Sequence, residues 1–253
     1  MTDRAQIETL LRARTRFRHL QHVASCPSTQ ELATAAPRDA AGRFQDAVFW
    51  ADHQTRGRGR QQREWHDEPA ADLAVTFRVQ TALPTPLALA AAVPVAVALA
   101  CEPLADTALR FKWPNDVFLH GRKLSGVLID AGVLGADTYL IGIGVNCNRV
   151  RFPPELEPIA TSLAVATGHE VDRGALLLAI AEQLDRALQA LADGQDGWLL
   201  TAFRERLGLF GKRVVIDANN QHTGVLTGLD FQQVVLDGGV SLPLGTIRSI
   251  RAG

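Results

Sequence analysis

The densest chemistry in the chain lies in the run Gln54-Thr55-Arg56-Gly57-Arg58-Gly59-Arg60-Gln61-Gln62-Arg63-Glu64-Trp65, where four arginines fall within eight residues. Guanidinium forks match phosphate or carboxylate oxygens in pairs. Glycines at 57 and 59 are expected to take positive φ and to bring backbone amides close to a bound anion. The run reads as an anion cradle. A solvated Arg-Gly loop or an RGG-like RNA contact would use the same residue types. Strand-like runs on both sides favour the cradle, because RGG segments sit in disordered polar tracts.

A second cluster is Phe111-Lys112-Trp113-Pro114-Asn115-Asp116, followed after a turn by Lys123-Leu124-Ser125-Gly126. Pro114 restricts the backbone so that Asn115 and Asp116 project from a defined turn, and Lys123 opens the returning strand near them. A bound acid could meet Lys123 there. Taken singly these residues read as a turn and a surface lysine; jointly, with Gly126 allowing close approach, they read as a site. The third segment, Ile141-Gly142-Ile143-Gly144-Val145-Asn146, lacks the G-x-G-x-x-G register and a following helix, so a dinucleotide fingerprint fails. Its glycines instead thin a strand against which a ligand can lie, with Asn146 at the end as a hydrogen-bonding group. Ser28 and Ser125 lack a G-x-S-x-G elbow, and none of the seven histidines has a spacing that nominates it as base or metal ligand.

The elements that must position these groups are legible in outline. Residues 5–14 pattern as a short helix with Ile7, Leu10 and Leu11 on one face. Ser28-Thr29-Gln30-Glu31 fits a capping box, in which the Ser28 hydroxyl accepts from the Glu31 amide at the head of a helix reaching Ala36. Residues 48–51 and 74–79 are strands bracketing the arginine loop. Residues 87–101 form a buried helix kinked at Pro94, shorter than the roughly 20 residues needed to cross a bilayer. Residues 117–119, 123–130 and 138–145 form an antiparallel meander. Leu176, Ile180, Leu184, Leu188 and Leu191 recur at helical spacing behind an Asp172 N-cap and before a Gly194 stop. From Gly211 onward five short strands, at 214–216, 224–229, 234–236, 240–242 and 246–250, read as a small β-barrel.

Composition narrows the function classes. The 253 residues, 47% of them hydrophobic, allow one large or two unequal packed domains. Lys plus Arg number 26 against 27 acidic residues, a net charge of −1, which excludes the broad positive field of a nucleic-acid coating protein. Cys26, Cys101 and Cys147 are odd in number and lack CxxC spacing, so neither a disulfide framework nor a zinc knuckle is available. With no secretory signal at the start, a reducing cytoplasm is the expected location.

Ser28-Thr29-Gln30, Gln54 with Gly57-Arg58-Gly59-Arg60, Lys112-Trp113-Pro114-Asn115-Asp116, Lys123-Leu124-Ser125-Gly126 and Gly144-Val145-Asn146 stand in the order and approximate spacing of the biotin protein ligases, which the chain resembles from about Val23 to Arg251. The resemblance implies an α/β fold of the α+β kind, a mixed, mostly antiparallel sheet packed with helices, plus a small C-terminal SH3-like barrel. It implies an N-terminal extension at 1–22, a biotin- and ATP-binding catalytic domain at 23–207 and the barrel at 208–253. Because only about 22 residues precede the catalytic part, it is expected to be the short form without a DNA-binding domain.

The implied reaction activates biotin with ATP and Mg²⁺ to biotinyl-5′-AMP, then transfers biotin to a lysine of a biotin carboxyl carrier protein, with no DNA or membrane partner and a homodimer left open. By the same resemblance Lys123, Arg58, Arg60 and Asp116 are catalytic. Ser28, Thr29, Gln30, Gln54, Arg58, Gly59, Arg60 and Lys123 take biotin, and Arg60, Arg63, Trp65, Asn115, Asp116, Lys123 and Asn146 take the nucleotide; no resident metal is implied. Gln61-Gln62 departs from the Arg-Gly often found there, Asp130 stands where Glu is frequent, and Cys26-Pro27 precedes the serine-threonine pair. A related-fold lipoate or octanoate ligase or transferase is one alternative; a nucleic-acid-binding module using the arginine loop and barrel is another.

Overall fold

The computed structural model describes residues 3–40 and 42–253, and the backbone alone of Gln62. Its elements are α1 (Arg4–Arg14), β1 (His19–Val23), α2 (Thr29–Ala35), β2 (Ala47–Ala51), β3 (Leu73–Gln80), α3 (Leu89–Ala105), β4 (Arg110–Lys112), β5 (Asp116–Leu119), β6 (Arg122–Ala131), β7 (Thr138–Val145), α4 (Leu163–Thr167), α5 (Arg173–Ala192), α6 (Gly197–Leu207), β8 (Arg213–Asp217), β9 (Gln221–Leu229), β10 (Gln233–Leu236), β11 (Ser241–Pro243) and β12 (Ser249–Ala252). The first seven strands form a mixed sheet in the order β1-β2-β3-β7-β6-β5-β4, in which only β1 and β2 run parallel.

Period-two alternation divides this sheet's side chains between two faces. Val48, Trp50, Val75, Phe77, Ile141 and Ile143 point into the main core with α3 and α5, whereas Ala47, Phe49 and Leu140 pack with Ala33 of α2 in a smaller cluster. The expected apolar stripe of α5 is buried throughout at Leu176, Ile180, Leu184, Leu188 and Leu191, behind an Asp172 cap that accepts from the Gly174 and Ala175 amides. Each such side chain contributes about 2 kcal/mol by leaving water. At α2 the cap differs in detail from the capping box: Ser28 Oγ accepts from the Gln30 amide at 3.3 Å, and the Glu31 carboxylate lies 3.3 Å from Arg56.

Four further expectations are corrected. The helical stretch Pro86–Ala105 has 20 residues and is apolar enough to span a bilayer, but it is largely buried inside the protein, against α5 and α6. Residues 4–22, set apart as an extension, are built into the main body. Ile7 and Leu11 are buried, a Cβ on Gly174 of α5 would stand 2.5 Å from Ile7 Cδ1, and β1 extends the sheet by pairing with β2; Met1 and Thr2 lie outside the described residues. The C-terminal strands form an antiparallel sheet, β11-β10-β9-β8-β12, whose end strands do not pair with each other, so the barrel is open. Thr246 falls in a 3-10 turn before β12 rather than in the strand.

Candidate functional site

Where α2 stops covering the outer face of the large sheet, a cavity of about 690 Å³ opens. Its floor is thinned by Gly126 of β6 and Gly144 of β7, which are register partners, and by Gly142. A Cβ on Gly144 would lie 2.3 Å from Trp65 Cε2, and one on Gly126 3.1 Å from Trp65 Cζ3. The indole therefore rests directly on the two glycines. A Cβ on Gly142 would stand 2.9 Å from the Gln30 amide nitrogen. The expectation that these glycines admit something close to the strand holds for side chains of the protein itself.

Lys123 reaches this face because β6 contains a bulge. Val117 pairs with Ser125 and Phe118 with Lys123, which leaves Leu124 as a surplus residue. Strict alternation would put Lys123 and Gly126, three residues apart, on opposite faces; the extra residue resets the count so that both face the cavity. Lys123 Nζ then lies 2.8 Å from Asp116 Oδ1 and 5.7 Å from the Trp65 ring centre, while Leu124 and Ser125 are buried.

The arginine loop is a tight hairpin. Trp65 donates to Gly57 O at 3.0 Å and Gly59 to Arg63 O at 2.8 Å. Neither glycine takes positive φ, contrary to expectation; the left-handed position is Gln61, at φ 55. Gly57 is required for a different reason, since a Cβ there would meet Trp65 O at 2.3 Å. Arg58 lies 3.7 Å from Asp130, the position noted for its shorter carboxylate. Partial burial pulls the Arg60 guanidinium below its ordinary value, and the Asp116 carboxylate opposes that shift. Arg58, Arg60 and Arg63 all line the cavity with Lys123.

The part of the cavity lining formed by the head of α2 and Gln54 is polar and uncharged. Gln54 Oε1 accepts from the Thr29 amide at 2.8 Å and from Thr29 Oγ1 at 3.1 Å, and Thr76 Oγ1 donates to Thr29 Oγ1 at 2.8 Å. Asp67 receives the Gln54 amide at 3.1 Å. Gln30 donates from Nε2 to Leu128 O at 2.9 Å, which leaves its Oε1 buried without a partner among the described residues. Ser28, Thr29, Gln30 and Gln54 thus share one wall, prearranged for a ligand that donates hydrogen bonds.

Among the remaining expected residues, Asn115 and Asp116 line the cavity, but the Asn115 amide is already used, donating to Val127 O at 3.1 Å. Asn146 is not a lining residue. It is buried beneath β6, donating to Thr161 O at 2.9 Å and toward Lys123 O at 3.4 Å, so it holds the backbone that carries Lys123. Sequence reasoning missed Arg248, Asp217 and Ser249, which bring the C-terminal sheet to the cavity, with Arg248 3.4 Å from Asp217. Trp113 Nε1 donates to Ile247 O at 3.1 Å and ties the proline turn to that sheet. Nothing in a short strand pattern distinguishes Arg248 from any surface cation. Lys112, part of the proline-turn cluster, lines the cavity as well, and Ile159 was missed.

The thiols divide by burial. Desolvation pushes Cys101 up to about 12 and Cys147 well above its ordinary value; Cys26 is raised by partial burial and by Asp67 and Glu31. Native protein at pH 8 is expected to react with a thiol reagent at Cys26 alone, and slowly, all three reacting after unfolding in guanidinium. Stoichiometric fast labelling of a second thiol would overturn this.

A sequence model of the biotin/lipoate A/B protein ligase family matches residues 42–148. The bifunctional ligase/repressor BirA of Bacillus spizizenii is 34% identical over 181 residues, 68% of this chain and 54% of that protein; the chain thus spans about half the length of such two-function relatives. The biotin--[acetyl-CoA-carboxylase] ligase of Mycobacterium tuberculosis is 30% identical over 243 residues, 92% of this chain and 88% of that protein. Among solved structures, the biotin protein ligase from Aquifex aeolicus in complex with biotin and ATP matches with a TM-score of 0.80 at 26% identity, covering 94% of this chain and 100% of that one.

Proposed function

The chain belongs to the biotin--[acetyl-CoA-carboxylase] ligases, within the biotin/lipoate A/B protein ligase family, and on that premise we propose that it activates biotin with ATP and transfers biotin to a carrier-protein lysine. The observation that carries the reading is one cavity lined by two unlike sets of residues: a neutral wall holding Gln30 Oε1, an acceptor unpartnered among the described residues, and the cations Arg58, Arg60, Arg63 and Lys123. A ureido ring offers N–H donors to the first. A carboxylate meeting a triphosphate needs the second, because two anions approach only where positive charge screens both.

In the first half-reaction a biotin carboxylate oxygen attacks the α-phosphorus of ATP, the bond to the bridging oxygen breaks, and pyrophosphate leaves. Lys123 neutralises the attacking carboxylate and the α-phosphate, while Arg58 and Arg60 hold the new mixed anhydride. Arg63, Trp65 and Asp116 serve the nucleotide end, and Asn115 and Asn146 serve it indirectly by fixing the strand that bears Lys123. In the second half-reaction the carrier's lysine amine attacks the acyl carbon, the C–O bond to AMP breaks, and the amine proton is released.

Among the described residues no group of three or more His, Cys, Asp or Glu forms a metal site. Cavity carboxylates such as Asp116 and Glu64 would help to hold a Mg²⁺ ion brought in by the nucleotide, and such an ion would offset negative charge on the leaving pyrophosphate. Three free thiols and an ATP substrate fit the cytoplasm.

The test is ATP–pyrophosphate exchange with biotin and, separately, with lipoate or octanoate. Exchange with biotin is expected. Gln30→Leu, which removes the unpartnered acceptor, is expected to raise the KM for biotin about a hundredfold while moving the KM for ATP little. Exchange with lipoate alone would overturn the proposal, and so would salt-sensitive binding to unrelated DNA with no adenylate formed.

A further inference from the structure

The most deeply buried ion pair among the described residues takes no part in lining the cavity. Arg149 and Asp72 meet at 2.6 Å with side chains 4% and 0% exposed. A pair of hydrophobic side chains of equal volume would pack as well without the cost of desolvating two charges. What such a pair could not do is hold backbone. Asp72 Oδ1 accepts the Cys147 amide at 3.1 Å, and its Oδ2 accepts the Glu68 amide at 2.8 Å and Arg149 Nε at 2.9 Å. Arg149 Nη2 also donates to His66 O at 2.7 Å. Arg149 is itself held, its carbonyl accepting from Ser162 Oγ at 2.5 Å.

His66 and Glu68 belong to the exit segment of the arginine loop, which has no helix or strand of its own before β3. His66 directly follows Trp65, whose ring lies on Gly126 and Gly144. The far side of the same stem is clamped by Asp67, which receives the Gln54 amide. Burial raises the Asp72 carboxyl, and the Arg149 guanidinium opposes it, so each member of the pair depends on the other. A fork that binds a carboxylate and a carbonyl at once fixes distance and direction together, which a single ammonium cannot do.

We infer that Arg149 is a positioning residue for the reaction proposed above: through the His66 carbonyl it sets the exit of the arginine loop, and with it the placement of Trp65 and of the loop's cations over the cavity. Its kinetic consequence rests on the ligase reading; its structural consequence does not.

The test is Arg149→Lys, which keeps a cation beside Asp72 and loses the fork. The KM for MgATP is expected to rise about tenfold with kcat changed less than about threefold, since the loop is displaced rather than removed. Independently, hydrogen exchange at the Gly59 and Trp65 amides, which close the hairpin, is expected to quicken about tenfold while α5 amides keep their protection. Should this variant fail to fold, the neutral double variant Asp72→Asn with Arg149→Gln carries the same two measurements. Unchanged loop exchange overturns the inference, and so does an equal acceleration in α5, which would mean global loosening. Faster loop exchange in a protein whose wild type exchanges pyrophosphate with no acid would support the positioning role and refute the ligase reading instead.

Discussion

Lys123→Ala is expected to lower biotin-dependent ATP–pyrophosphate exchange at least about a thousandfold, the scale of removing a charge that acts mainly on the transition state. Among the described residues Lys123 Nζ has one carboxylate partner, Asp116 at 2.8 Å, and its side chain is 34% exposed. A pair screened to that degree contributes under about 1 kcal/mol to folding, so Tm is expected to fall by no more than about 4 °C. The two numbers together carry the argument. A large loss of rate with intact folding assigns Lys123 to the reacting groups. An unchanged rate would remove it from them, and a rate lost only in proportion to unfolded protein would make it structural.

Gly144→Ala is expected to raise the KM for ATP about a hundredfold, because one misplaced contact near the reacting groups is worth about that much. The added methyl would stand 2.3 Å from Trp65 Cε2 and 2.5 Å from Cζ2, distances no relaxed pair of carbons adopts, so the indole must leave the floor. Trp65 donates its amide to Gly57 O, and moving the ring pulls on the hairpin that carries Arg58, Arg60 and Arg63. The same substitution adds little to the core, since Gly144 faces the cavity. Kinetics distinguish the outcomes: a raised KM for ATP with unchanged thermal stability is expected, and wild-type kinetics in Gly144→Ala would mean that the indole's seat has no bearing on nucleotide binding.

Much of this site was readable as residue type and order. The arginine loop, the proline turn with Lys123 and the wall of Ser28, Thr29, Gln30 and Gln54 meet in one cavity; the first two were marked by local chemistry that a sequence displays directly, the wall only by the family resemblance, since its residues by themselves read as a helix cap. Four things were not readable, each for a physical reason. Gly57 and Gly59 were expected to supply positive φ, but a glycine is also required where a carbonyl passes at 2.3 Å, and sequence does not separate the two causes. Asn146 ends a glycine-rich strand as a ligand-binding amide would, yet its partners are carbonyls of residues 123 and 161, contacts set by tertiary packing. Arg248 reaches the cavity through tertiary contacts of the C-terminal sheet, such as the Trp113 bond to Ile247 O. The N-terminal residues were set apart because the resemblance begins at about Val23, and His19–Val23, with Leu20 its one buried side chain among the five, carries too little apolar pattern to announce an edge strand.

The surplus residue at Leu124 also makes the placement of Lys123 a matter of parity. Inserting or deleting one residue between Lys123 and Gly126 would turn the ammonium toward the packed side of the sheet, where an unpaired cation is not tolerated. Exchanging one side chain for another leaves that parity intact. The short hairpin can therefore drift in composition over evolutionary time far more freely than in length, and a designer who straightened it into a regular ladder would silence the protein without touching any residue that meets its substrates.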